Sequence, residues 1–132
     1  MDIEYRWRGP VDNDQLNALH AEGFGTRVFD TDWAGQLERH SLGWVTANHG
    51  DRLVGFVNVA WDGGVHAFVL DTLAAPDLRR HGIGRRLVEL AVEGSKAAGC
   101  EWLHVDWDEE YLTNFYVEGC GFVPTSAGLI AL

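Results

Sequence analysis

Four arginines crowd one short glycine-containing stretch, Arg79-Arg80-His81-Gly82-Ile83-Gly84-Arg85-Arg86. They are four of only ten Lys and Arg in a chain of formal net charge −10. The stretch follows an apolar run from Val65 to Ala75 and opens an amphipathic segment from Ile83 to Ala98. Strand, glycine turn and helix make a geometry for holding an anion. Glycine lets backbone N–H groups approach the ligand, and a helix N-terminus adds partial positive charge at the same point. The chemistry invited is that of a bound phosphate.

The elements that must position this turn are legible around it. Ile3 to Arg8 alternates as a strand does, and Asp12 precedes a helical stretch with Gln15 as its capping-box partner. A second helix starts near Asp30 to Asp32 and carries Trp33, Leu37 and His40. Gly43 to Asn48, Leu53 to Trp61 and Val65 to Ala75 read as an antiparallel meander, with Asp62-Gly63-Gly64 as a hairpin turn. Ile83, Leu87, Leu90, Ala91 and Gly94 then fall at helical spacing, and Gly99 suits the C-cap. Trp102 to Trp107 reads as a strand, Glu109 to Glu118 as a short helix, and Phe122 to Leu132 as a closing strand or hairpin. A strand, a crossover helix and a strand imply a parallel pair. The expected fold class is α/β (α+β), with a mixed central sheet and about four flanking helices. One domain over residues 1–132 suits this length.

Three kinds of phosphate loop compete for the turn. A nucleotide P-loop requires Lys and then Ser or Thr after its last glycine, where this chain has Arg85 and Arg86. A dinucleotide fingerprint is met by Gly82 and Gly84, but Leu87 stands at its third glycine. Asp106, about 20 residues on, sits where an acidic ribose ligand would, so the residues alone leave this reading open. The short chain and the meander before the loop count against it.

The third match is Arg-x-x-Gly-x-Gly at a helix start, which resembles the acyl-CoA loop of the GNAT superfamily of N-acetyltransferases. Thr72-Leu73-Ala74-Ala75-Pro76 is similar to the family strand that runs into Pro before the loop. Asn114-Phe115-Tyr116-Val117-Glu118-Gly119-Cys120-Gly121-Phe122 is similar to its Phe-Tyr…Gly-Phe signature. The order of elements agrees as well. Where many members carry a cofactor-contacting Asn, about seven residues before the Tyr, this chain has Glu109.

The resemblance implies transfer of an acetyl group from acetyl-CoA directly to a primary amine, with no metal. It implies that backbone groups near Leu73 and Ala74 bind the pantetheine arm. The backbone of His81, Gly82, Ile83, Gly84 and Arg85 would hold the pyrophosphate, with charge from Arg79, Arg80 and Arg85. Tyr116 matches the general acid that protonates the departing thiolate. For the base, strand alternation puts His66, Phe68, Leu70 and Thr72 on one face and Asp71 on the other, unless a bulge intervenes. The family's usual base positions match Phe68 and Leu70, which cannot take a proton. The remaining candidates are His66 and Asp106. The same gaps allow an alternative, a catalytically silent acyl-CoA-binding regulatory module.

Six Trp and the acidic run Asp106-Trp107-Asp108-Glu109-Glu110 suit a cationic small molecule or peptide amine as acceptor. The acidic charge counts against nucleic acid and anionic lipid as partners. Cys100 and Cys120 form no Cys-x-x-Cys pair, and the N-terminus lacks an apolar signal core, so a reducing cytoplasmic setting is expected. By family analogy, an exposed edge strand near the C-terminus is compatible with a homodimer. The sequence does not name the acceptor.

Overall fold

Val- and Phe-rich runs and apolar residues spaced by three and four dictate most of the elements locally. The computed structural model describes residues 1–132. It contains β1 (Glu4–Trp7), α1 (Asn13–Phe24), α2 (Trp33–His40), β2 (Ser41–His49) and β3 (Arg52–Trp61). There follow β4 (His66–Ala74), α3 (Ile83–Ala97), β5 (Trp102–Val105) and α4 (Glu109–Thr113), which continues as a wider π turn over Asn114–Gly119. The five strands form one sheet in sequence order. β1 to β4 pair antiparallel, and β5 pairs with β4 in parallel. The fold is therefore the mixed α+β arrangement that the sequence implies.

The helices divide between the two faces. Phe56 meets Trp33 of α2 at 5.9 Å between ring centroids, whereas at its neighbour Gly55 a side chain would run into Ile83 and Leu87 of α3. Successive strand residues point to opposite faces, so α2 and α3 cover opposite sides. Leu16, Leu37, Phe56, Val57, Val59 and Leu87 are wholly removed from water between these layers. Trp7 needs glycine at two places, because a Cβ at Gly43 or Gly94 would overlap its indole. No helix is long and apolar enough to cross a membrane.

Three local expectations are corrected. Asp12 caps α1 by accepting from Gln15 N at 3.0 Å, but Gln15 does not complete a capping box. Its side chain donates to Asp51 O and accepts from Leu53 N, at 3.1 and 2.8 Å, which latches α1 to the β2–β3 turn. A tertiary partner outcompetes the local one here. β5 stops at Val105 rather than Trp107. The closing strand expected over Phe122 to Leu132 is absent, and no regular structure follows Gly119. Pro124 has no N–H for a ladder, and Gly128 weakens strand propensity. Phe122 still packs edge-on to Tyr116, at 5.8 Å.

Candidate active site

The parallel pair opens near its C-terminal end. β5 pairs with β4 only as far as Val105 opposite Val69, while β4 runs on to Ala74. From Leu70 to Ala74, β4 keeps β3 as its only strand partner. The gap lies beside Leu73 and Ala74, so backbone groups facing it have no strand to pair with.

β4 also carries a bulge. Asn58 pairs with Leu70 and Phe56 with Leu73, so three steps on β4 oppose two on β3. Asp71 is the extra residue, with φ of 55° in the left-handed region. Beyond it the alternation reverses. Asp71 turns toward α1, where its Oδ1 lies 3.5 Å from His20 Nε2. Leu73 faces α1 as well, against Gly23, while Thr72 faces Tyr116. The face carrying Phe68 and Leu70 therefore gains Asp71 and loses Thr72, the reverse of strict alternation.

Asp71 is half-buried, and desolvation pushes its carboxyl above the usual carboxylate range despite the opposing pull of His20. The His20 ring is held among Phe24, Trp33 and Phe29 at centroid distances of 4.7, 5.6 and 6.4 Å. Trp33 is fixed in turn by donating its Nε1 hydrogen to Asn17 Oδ1 at 3.1 Å.

Tyr116 is only 6% exposed and occupies the other side of the strand. Its hydroxyl donates to Thr72 Oγ1 at 3.3 Å. The ring stacks on Trp107 at 5.5 Å and meets Phe115 edge-on at 4.8 Å. Burial, its largest influence, raises its phenol above the ordinary range, so the hydroxyl keeps its proton at neutral pH.

The glycine turn enters α3 through Gly82, the N-cap, with φ of 74° and no side chain capping the first amides. A Cβ there would meet nothing within 4 Å, so the helix start is open. Arg79 and Arg80 are exposed and have no carboxylate within 4 Å. Arg85 and Arg86 lean instead on Glu89, at 3.6 and 3.2 Å. His81 Nδ1 is 3.0 Å from Leu78 O, which folds the ring back onto the turn. Arg52 grips both oxygens of Asp77 at 2.7 and 3.0 Å and ties the preceding turn to the sheet. A pyrophosphate fits this cradle: open first-turn amides, an open Gly82 and two unpaired guanidinium groups.

The other candidates lie elsewhere. Asp106 is exposed just beyond β5 and lines a cleft of about 540 Å³ with Trp107, Phe122 and Pro124. His66 begins β4, five residues before Asp71, or about 16 Å along an extended strand. Its Nδ1 is 2.7 Å from His104 Nε2, and the pair stacks beside Phe68. The structure does not bring His66 to the gap. Of the Trp residues weighed for the acceptor side, Trp33 adjoins His20, and Trp44 is a core residue donating to Gly9 O at 2.8 Å. Trp61 is exposed at the end of β3. His20 has no sequence signal, because a lone histidine on α1 belongs to no motif and only helix packing brings it to Asp71.

A family model described as the acetyltransferase (GNAT) family matches residues 10–122. Among solved structures, an acetyltransferase from Trypanosoma brucei superposes with a TM-score of 0.83 at 21% identity, covering 98% of this chain and 99% of that one. A GNAT family acetyltransferase from Streptococcus pneumoniae gives 0.79 at 22% identity, covering 99% and 98%. AAC(6')-Iy, solved with a bisubstrate analogue of CoA and acetylneamine, gives 0.77 at 15% identity, covering 100% and 98%. These identities speak for a shared fold. Comparison with curated protein sequences finds no match.

Proposed function

The chain belongs to the acetyltransferase (GNAT) family, and from that premise we propose that it transfers an acetyl group from acetyl-CoA to a primary amine. The observation that carries the reading is the pair of groups on opposite faces of β4 beside the gap. His20 and Asp71 lie on one side, Tyr116 and Thr72 on the other.

Acetyl-CoA, when bound, supplies the activated thioester. The backbone of His81, Gly82, Ile83, Gly84 and Arg85 would hold its pyrophosphate, with Arg79 and Arg80 as free counter-charges. The unpaired edge of β4 at Leu73 and Ala74 would take the pantetheine arm much as a strand edge takes a peptide.

The acceptor enters from the α1 and α2 face as an ammonium. Asp71 takes one proton from it, and His20 holds the carboxylate in place. Partial burial makes Asp71 a better base than an exposed carboxylate. The amine then attacks the thioester carbonyl directly. The N–C bond forms, the C–S bond breaks, and Tyr116 gives its hydroxyl proton to the leaving sulfur. The nitrogen sheds its second proton to solvent as the amide forms, and solvent also restores the hydroxyl proton to Tyr116 and removes the first amine proton from Asp71. Asp106, exposed at the end of β5, adds negative potential that draws ammonium toward the gap.

Release of CoA thiol, measured with acetyl-CoA and a panel of primary amines, tests the proposal. Turnover with at least one amine supports it. Tight CoA binding with no turnover on any amine would leave a silent CoA-binding module instead.

A further inference from the structure

On the face that receives Asp71, a second cleft of about 500 Å³ lies between α2 and the strands β2, β3 and β4. Leu70 lines it, and Asp71 is the next residue. Asn58 is only 3% exposed, yet of its amide only Oδ1 is engaged, accepting from Ser41 Oγ at 2.6 Å. Its Nδ2 carries two protons and donates neither to any protein group. That nitrogen is not sealed from solvent, so its hydrogens are available to a ligand or water in the cleft.

Arg39 lines the same cleft and forms no ion pair within 4 Å, unlike Arg6, Arg8, Arg52, Arg85 and Arg86. The one carboxylate in the cleft, Asp32, spends Oδ1 on two protein donors, and Arg39, too far for an ion pair, helps to keep it ionised. Asp32 caps α2 by accepting from Gly35 N at 3.1 Å and also accepts from Asn13 Nδ2 at 3.0 Å. Gln36 and His40 complete the polar wall, and both can donate.

From this we infer that the acceptor is an amino-carboxylate, a small molecule that carries its own anionic carboxylate a few bonds from the amine. The proposal rests on the acetyltransfer reading above. The amine lies at Asp71, the hydrocarbon between them on Leu70, and the carboxylate against Arg39 and the free amide protons of Asn58. Arg39 offers the planar two-pronged contact that carboxylates accept best. The cationic acceptor suggested by the acidic run and the Trp residues is thereby narrowed to a zwitterion.

The test compares a series of free amino acids with their carboxamides and with the matching amines that lack the carboxyl group. The expected preference for the free carboxylate in kcat/KM is about tenfold or more. Arg39→Ala should collapse that ratio toward one through KM, and Arg39→Lys, which keeps the charge, should retain part of it. Calorimetric binding of the same three ligands to the CoA-loaded protein provides a readout that needs no turnover. If no amine is acetylated, the acetyltransfer reading fails, while carboxylate-selective binding lost in Arg39→Ala would still support the subsite. Equal or weaker binding and turnover of the carboxylates, or an unchanged ratio in Arg39→Ala, overturns the inference.

Discussion

Asp71 Oδ1 lies 3.5 Å from His20 Nε2, and that contact exists because Asp71 is the extra residue of a bulge in β4. Without the bulge its side chain would sit on the face now taken by Thr72. A single inserted residue thus separates the proposed base from the proposed acid, Tyr116, across the thickness of one strand.

Replacement of Asp71 should separate activity from stability. Burial raises its folded pKa, so folding favours the protonated form. That contribution is full below the unfolded carboxylate pKa and is lost as pH rises through the raised folded value. Above it, the native state carries a poorly solvated carboxylate. Asp71→Asn, neutral throughout, should therefore melt with the wild type in acid and above it at neutral pH. Its kcat should fall by about 10²- to 10⁴-fold. Melting curves across pH decide the first point, and a variant less stable at neutral pH than in acid relative to wild type would contradict it.

Tyr116→Phe removes the proposed acid and leaves the ring packed between Trp107 and Phe115. We expect kcat to drop about 10²-fold or more, with CoA affinity nearly unchanged. Because the folded phenol is raised above its usual value, the wild-type kcat should decline on the alkaline side only beyond the ordinary tyrosine range. Full activity in the variant would remove Tyr116 from the chemistry.

Gly82→Glu should abolish CoA binding while the protein stays folded. The site has open space around it, so the new side chain meets no wall. The left-handed φ of 74° costs a non-glycine residue about 1–2 kcal/mol, which a folded domain tolerates. The carboxylate, however, would stand at the open amides of α3. Titration with CoA gives the answer, and wild-type affinity would show that the turn is not the pyrophosphate site.

Gly94→Ala tests packing rather than chemistry. Its methyl would overlap the Trp7 indole. Overpacking of this kind costs about 1–3 kcal/mol, which should lower Tm by several degrees. Adding Trp7→Leu should recover part of the loss, so the two changes together should be less than additive. Additive losses in thermal denaturation would mean that the indole is not what confines residue 94.

The open turn at the start of α3 was legible because its signal is local and dense: four arginines and two glycines within eight residues. Tyr116 was legible through its neighbours in sequence. The meander was readable from Val-rich runs broken at His49-Gly50-Asp51 and Asp62-Gly63-Gly64. The tail was not, because its apolar residues promised a strand while Pro124 and Gly128 withheld one. Gln15 was misread for a related reason. Its spacing from Asp12 fits a capping box, but the β2–β3 turn arrives from 36 residues away and claims its amide.

By itself the sequence determined that an arginine- and glycine-rich turn suited to an anion opens α3, and in what order its elements run. Both follow from short-range chemistry, in which glycine freedom, charge density and hydrophobic period act over a few residues. Only the tertiary structure decided which face of β4 carries Asp71. Strand alternation has a period of two, so one bulge exchanges every partner beyond it. Where that bulge falls is set by pairing with β3 and by α1 packing against Leu73, neither of which is written at position 71. The same packing brought His20 to Asp71 and left Asn58 and Arg39 with hydrogens to offer.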